Sequence, residues 1–123
     1  MANESKNNLK IAVDLDGTIS AFPEFFKVFS KAMTKAGCKI YVVTDRPEWT
    51  VEEVAEELRE LGITFDHIEI TGRKDKFIIS EGIAVFFDDI DDYFLELPEE
   101  VAVFKVRQKY NFDFEAKRWH EYR

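Results

Sequence analysis

The stretch Leu9–Ile19, LKIAVDLDGTI, constrains this chain more than any other. Ile11, Ala12 and Val13 form an apolar run that reads as a short buried strand, and the run ends at Asp14, Asp16 and Gly17. Gly17 allows a tight backbone path just past the strand, and Thr18 offers a hydroxyl there. Side chains on an extended chain alternate with period two, so Asp14 and Asp16 are expected to point the same way. Two like charges held side by side are costly unless a cation joins them, which favours a divalent metal, and magnesium suits oxygen ligands best. A calcium loop of the EF-hand type does not fit. The run lacks a third Asp or Asn before the glycine and a closing Glu, and it follows a strand rather than a helix. A plain Asp- and Gly-rich turn is the competing reading of the motif by itself, so the rest of the chain has to decide.

At 123 residues the chain is expected to form one domain over residues 9–123 behind a polar tail, residues 1–8. Hydrophobic residues make up 46%, with 12 Phe, which places the sequence among globular proteins rather than disordered ones. A net charge of -8 argues against a general binder of nucleic acid or of membrane surfaces. Cys38 is the single cysteine, so no intrachain disulfide forms, and a reducing, cytoplasmic setting is the expectation. Met1–Asn8 has no apolar signal core, and no run is long enough to span a bilayer.

Past the motif, Pro23 suits the start of a helix. Phe22, Phe25, Phe26, Phe29 and Met33 recur at helical spacing and are expected to face the core, until Gly37 stops the helix. Ile40–Val43 reads as a second buried strand ending at Thr44-Asp45-Arg46. Thr50 and Glu53 then form a capping box for a helix whose apolar face is Val51, Val54, Ala55, Leu58 and Leu61, closed by Gly62. Its run of glutamates is a solvated face. His67–Ile70 is a third strand, and a short helix over Lys76–Glu81 has Asp75 as its N-cap. Ile83–Phe87 is a fourth strand, ending at Asp88-Asp89, followed by a helical turn over Asp91–Leu95. Val101–Val106 is a fifth strand, and Asp113 caps a last helix carrying Phe114 and Trp119. His67 and His120 have no metal-ligand spacing with Cys38.

Strands apolar on both faces, alternating with amphipathic helices, predict an α/β fold: a single Rossmann-like domain with a mainly parallel five-stranded sheet and helices on both faces. All C-terminal strand ends then lie on one edge, which carries Asp14/Asp16, Thr44, the Arg73/Lys74 loop and Asp88/Asp89; if the first strand is central, its motif meets the second and fourth strand ends in the crevice where strand order reverses. Paired carboxylates, a hydroxyl, a cation and a second acidic pair suit phosphoryl transfer, where an anion is positioned and its charge neutralised.

With these residues in place, the chain resembles the haloacid dehalogenase superfamily of phosphohydrolases, through VDLDGT at Val13–Thr18, Thr44 in VVTDR, Lys74, and FFDD at Phe86–Asp89. The order and spacing of these motifs span roughly the first three quarters of the chain. The resemblance implies that Asp14 is the nucleophile, forming an aspartyl-phosphate. Asp16 would protonate the leaving oxygen and then activate water, while its backbone carbonyl binds magnesium. Asp14, Asp16 and Asp89 would thus hold Mg2+, with Asp88 in a supporting role. Thr44 would hold a phosphoryl oxygen, and Lys74 would offset charge between nucleophile and phosphate. Lys76 precedes the same helix and competes for the lysine role, although the distance from Lys74 to the double Asp is more typical of the family.

Asp16 also favours a phosphatase over a dehalogenase, because family members that cleave carbon–halogen bonds lack the second acid. Only Ser20–Phe22 separate the motif from the first helix, so the resemblance implies a small type with no cap domain, its open site covered by a homo-oligomer neighbour or by a large substrate. Arg46, Arg73 and Lys76 are the candidate rim contacts for the leaving group, or else plain surface charges. Asp91 and Asp92 are candidates for site acidity or for helix capping, with capping preferred. The expected substrate is a phosphorylated small molecule or nucleotide rather than a long nucleic acid. Two alternatives stand beside it: a phosphate- or protein-binding regulatory module without turnover, and a phosphatase acting on a macromolecular partner.

Overall fold

Each of three helices ends the same way. At Gly37, Gly62 and Gly82 the backbone takes φ of 98°, 78° and 74°, which a glycine adopts without steric cost. The amides of the next residues, Cys38, Ile63 and Ile83, turn back to the carbonyls of Met33, Leu58 and Ile78 at 2.9, 2.9 and 3.0 Å. These are Schellman closures, and all three residues after the glycine are buried, so each helix is stapled where a strand or its lead-in begins.

The computed structural model describes residues 7–106, 112–113 and 118–119. Strands β1 (Lys10–Asp14), β2 (Lys39–Thr44), β3 (His67–Ile70), β4 (Val85–Asp88) and β5 (Ala102–Lys105) form a parallel sheet in the order β3-β2-β1-β4-β5. Helices α1 (Pro23–Lys35), α2 (Val51–Glu60) and α3 (Lys74–Glu81) connect them. The chain builds outward from β1 to β3 and then returns to lay β4 on the other side of β1. Strand order therefore reverses between β1 and β4, and that reversal opens a crevice at their C-terminal ends.

Period two divides the core. Ile11 and Val13 of β1, with Ile40 and Val42 of β2, pack on Phe26 of α1 and on Val54 and Leu58 of α2. Ala12, Tyr41 and Val43 face the opposite way, with Ile78 of α3 and Phe86. A Rossmann-like α/β fold with helices on both faces is thus the observed architecture, and among the described residues no helix is long and apolar enough to cross a membrane.

Several local expectations are corrected. Helix α3 begins at Lys74 rather than Lys76, with Arg73 at the N-cap position and Asp75 inside the first turn. Thr50 makes no capping box: its Oγ1 donates to the Pro47 carbonyl at 2.6 Å, because a 3-10 turn over Glu48–Thr50 runs straight into α2. On α1 only Phe26 of the aromatic stripe is buried, while Phe29 and Met33 are partly so. Phe22 and Phe25 are about half exposed, since the helix meets the sheet along a narrower strip than five aromatic positions occupy. Instead of a helix capped by Asp113, β6 (Phe112–Asp113) pairs antiparallel with β7 (Arg118–Trp119). The alternation Tyr110, Phe112, Phe114 has the period of a strand. Phe114, His120 and the rest of that segment lie outside the described residues.

Candidate functional site

Strand β1 delivers Asp14 to the crevice. Asp14 shares its strand face with Ala12, so its carboxylate lies on the α3 side of the sheet, and the β1–β4 register brings it level with Asp88. Lys74, the first residue of α3, reaches up from that same side. Its Nζ donates to Asp14 Oδ1 at 2.7 Å and to Asp88 Oδ2 at 2.9 Å, and it is almost completely buried. The second Asp14 oxygen accepts from the Thr18 hydroxyl at 3.0 Å, and the same hydroxyl lies 3.5 Å from Asp89. The remaining oxygen of Asp88 accepts the Ile90 amide at 2.9 Å, which fixes the turn after β4.

The turn Leu15–Ile19 follows directly on Asp14. Gly17 sits there at φ 86°, and a Cβ on it would run into the Asp89 carboxylate. Glycine is thus required twice over, for its conformation and for the space it leaves.

One carboxylate oxygen from each of Asp14, Asp88 and Asp89 lies within 4.8 Å of the others, and all three residues are buried. Burial, with the charge of Asp88 second, pushes the Asp14 carboxyl up to about 8. Asp88 rises to about 6 through burial, restrained by the ammonium of Lys74. Burial alone would lower Lys74, yet Asp14 and Asp88 hold it above its ordinary range. Three buried carboxyl groups gathered in this way present oxygen ligands to one point, and a divalent cation is a group such a donor set suits.

Asp16 does not join this cluster. The extended chain ends at Asp14, so the period-two expectation lapses, and Asp16 turns outward to Arg46. The pair is bidentate, with Nε to Oδ2 at 2.9 Å and Nη2 to Oδ1 at 2.7 Å. Nη1 of Arg46 also holds Glu57 of α2 at 2.9 Å. Hydrogen bonding from Arg46 keeps the Asp16 carboxyl below its ordinary value, and the two acids raise Arg46 in return.

A cleft of about 360 Å³ opens over the crevice, lined by Asp14, Asp16, Asp45, Lys74, Ile90, Asp92 and Tyr93. Of the expected site residues, Asp14, Asp16 and Lys74 line it, and so does Asp92; the capping preferred for Asp91 and Asp92 is not observed, because both lie inside the turn Asp91–Phe94 with Ile90 at its N-cap position. Asp88 and Asp89 lie beside Asp14 as described, and Thr44 is buried at the end of β2, its Oγ1 accepting the Arg46 amide at 3.4 Å. Arg46, Arg73 and Lys76 are not among the lining residues; Arg73 is exposed and paired with Asp75 at 2.9 Å, and Lys76 is exposed on α3.

Sequence reasoning missed Tyr93. Its ring lies 4.2 Å from Lys74 Nζ, and its hydroxyl donates to Asp45 Oδ2 at 2.8 Å, bridging the ends of β4 and β2. Burial and the Asp45 carboxylate push its phenol up to about 12. No sequence signal singles out this tyrosine. Asp45 was missed as well, although its place right after the strand-terminal Thr44 was a signal that could have found it, whereas Thr18 stands out in the sequence as a hydroxyl beside the motif. The chain matches no family model, no curated protein and no solved structure.

Proposed function

We propose that the protein is a magnesium-dependent phosphatase of the haloacid dehalogenase type, hydrolysing a phosphate monoester through an aspartyl-phosphate on Asp14. The observation that carries this reading is the Asp14 carboxylate at the sheet edge, gripped by Lys74 and Thr18 and open to the cleft. A carboxylate so oriented has its oxygens fixed for attack rather than for packing.

Attack by an Asp14 oxygen on phosphorus forms an acyl-phosphate as the bond from phosphorus to the leaving oxygen breaks. The leaving oxygen takes a proton from Asp16. Water then attacks the same phosphorus, Asp16 accepts its proton, and inorganic phosphate and Asp14 are released. Asp16 is held ionised by Arg46, so it has to leave that pair to act as the acid, whereas the ionised form is already the base that the second half requires. Lys74 neutralises charge between Asp14 and the phosphoryl group. Asp14, Asp89 and the Asp16 carbonyl would hold magnesium, with Asp88 alongside. When bound, the ion would offset the charge of the transferring phosphoryl oxygens.

A regulatory module without turnover is the second reading. The gathering of three buried carboxyl groups disfavours it, because binding phosphate alone calls for cations rather than acids. The test is release of inorganic phosphate from a panel of phosphorylated metabolites with magnesium and with chelator. Magnesium-dependent release lost in Asp14→Asn supports the proposal; no release by folded protein overturns it.

A further inference from the structure

The Lys74 ammonium, which holds Asp14, lies 4.2 Å from the ring centroid of Tyr93. We propose that Tyr93 is a positioning residue: its ring fixes that ammonium against Asp14, and its hydroxyl, latched to Asp45, fixes the ring. The inference rests on the phosphatase reading and adds to that site a residue that acts through Lys74.

A closed circuit of contacts carries it. Asp88 Oδ2 accepts from Lys74 Nζ at 2.9 Å, and Asp88 Oδ1 accepts the Ile90 amide at 2.9 Å. The Ile90 carbonyl in turn accepts the Tyr93 amide at 3.2 Å, within the turn Asp91–Phe94 that returns the Tyr93 ring to Lys74. The carboxylate that grips the ammonium on one side therefore also sets the turn that brings the ring to another. The next residue roots that turn in the core, where the Phe94 ring meets buried Phe86 edge-on at 5.7 Å.

The chemistry of the ammonium says what the ring does. A lysine has three N–H donors, and Asp14 and Asp88 take two of those on Lys74, at 2.7 and 2.9 Å. On a further side lies the face of an aromatic ring, which attracts a cation and keeps water off it. The ring offers no lone pair that would draw the ammonium away from Asp14. A charge held dry and fixed stabilises negative charge developing beside it better than one that has to reorient. Phenylalanine would supply the same face, and the hydroxyl adds the latch. It donates to Asp45 Oδ2 at 2.8 Å, and because β1 lies between β2 and β4, the latch spans the end of the strand that carries Asp14. Burial and the Asp45 carboxylate push the phenol up to about 12, so it keeps its proton, and the latch, at neutral pH.

The test sets two variants without the ring, Tyr93→Leu and Tyr93→Gln, beside Tyr93→Phe and Asp45→Ala, which remove only the latch. With para-nitrophenyl phosphate and magnesium, kcat is expected to fall about tenfold or more in the ringless variants while KM stays within about threefold, the pattern of an interaction realised in the transition state. Tyr93→Phe and Asp45→Ala should each lose only about twofold to threefold, since the ring remains. A second readout needs no turnover: the Lys74 ammonium signal in proton–nitrogen correlation spectra of the magnesium-free protein. It should be sharp and shifted upfield by the ring current in the parent and in Tyr93→Phe, and broadened by exchange with water in the ringless variants. Ringless variants with the parent's kcat, or with an unmoved ammonium signal, overturn the proposal. A folded parent that releases no phosphate from this ester or from the metabolite panel overturns the phosphatase reading instead, and the ammonium signal still decides whether the ring holds Lys74.

Discussion

Lys74 and Asp14 are joined by a 2.7 Å hydrogen bond at almost complete burial, and the same ammonium reaches Asp88, so one side chain ties the ends of two adjacent strands. Removing it strands two carboxyl groups without a counter-charge. Lys74→Met is expected to cost about 3–5 kcal/mol of folding stability, the usual penalty for breaking a buried pair on one side. Adding Asp88→Asn should recover part of that loss. Urea unfolding of the parent and the two variants checks both statements, and a near-neutral Lys74→Met would contradict them.

A pH dependence follows from the same cluster. Burial pushes the Asp14 and Asp88 carboxyls up to about 8 and about 6, against 3.8 ordinarily. Both are raised, so the folded state binds these protons more tightly than the unfolded chain does. The stability they contribute is complete below about pH 4 and is lost as pH rises through 6 and then 8. Metal-free protein should therefore show a falling melting temperature from pH 5 to pH 8.5, over the range set by these two values. Magnesium, selective for the ionised folded site, should restore it by mass action at the alkaline end. A flat profile, unaffected by magnesium, would contradict this account of the cluster.

The five sheet strands, their parallel type and the three glycine closures were legible because short apolar runs and C-terminal glycines are local signals, whereas the order of the strands in the sheet is not a local property. The meeting of Asp14 with Lys74 was legible too, since parallel strands put their ends on one edge. The outward turn of Asp16 was not. It depends on where β1 stops and on Arg46, which lies 30 residues away. Tyr93 was illegible for the same reason, as its partners Asp45 and Lys74 come together only when β2, α3 and β4 are assembled. Phe22 and Phe25 were misjudged because helical spacing marks a face but not how much of that face the sheet covers.

Arg46 makes a prediction of small size and clear direction. Asp16 is about half exposed, so the Arg46–Asp16 pair contributes on the order of 1 kcal/mol or less, discounted for solvent screening. Arg46→Met should thus fold nearly as well as the parent. Its Asp16 carboxyl should titrate at higher pH than in the parent, read by carboxyl carbon chemical shift. An unchanged titration would show that Arg46 does not hold the acid.

Gly17→Ala should be damaging out of proportion to one methyl group. The residue needs φ 86°, and the added carbon has to displace the Asp89 carboxylate. A loss of at least about 1 kcal/mol is expected from backbone strain alone. Weaker magnesium stabilisation should accompany it, because Asp89 moves. Thermal melts with and without magnesium separate the two effects.

The central claim is that Asp14 becomes phosphorylated. The most direct measurement is acid-quenched turnover of a phosphate monoester with magnesium, followed by peptide mass spectrometry. A phosphoryl adduct on Asp14, absent without magnesium and absent in Asp14→Asn along with several orders of magnitude of turnover, is the predicted result. Sustained phosphate release by Asp14→Asn at the parent's rate, with no adduct on Asp14 in the parent, would contradict it.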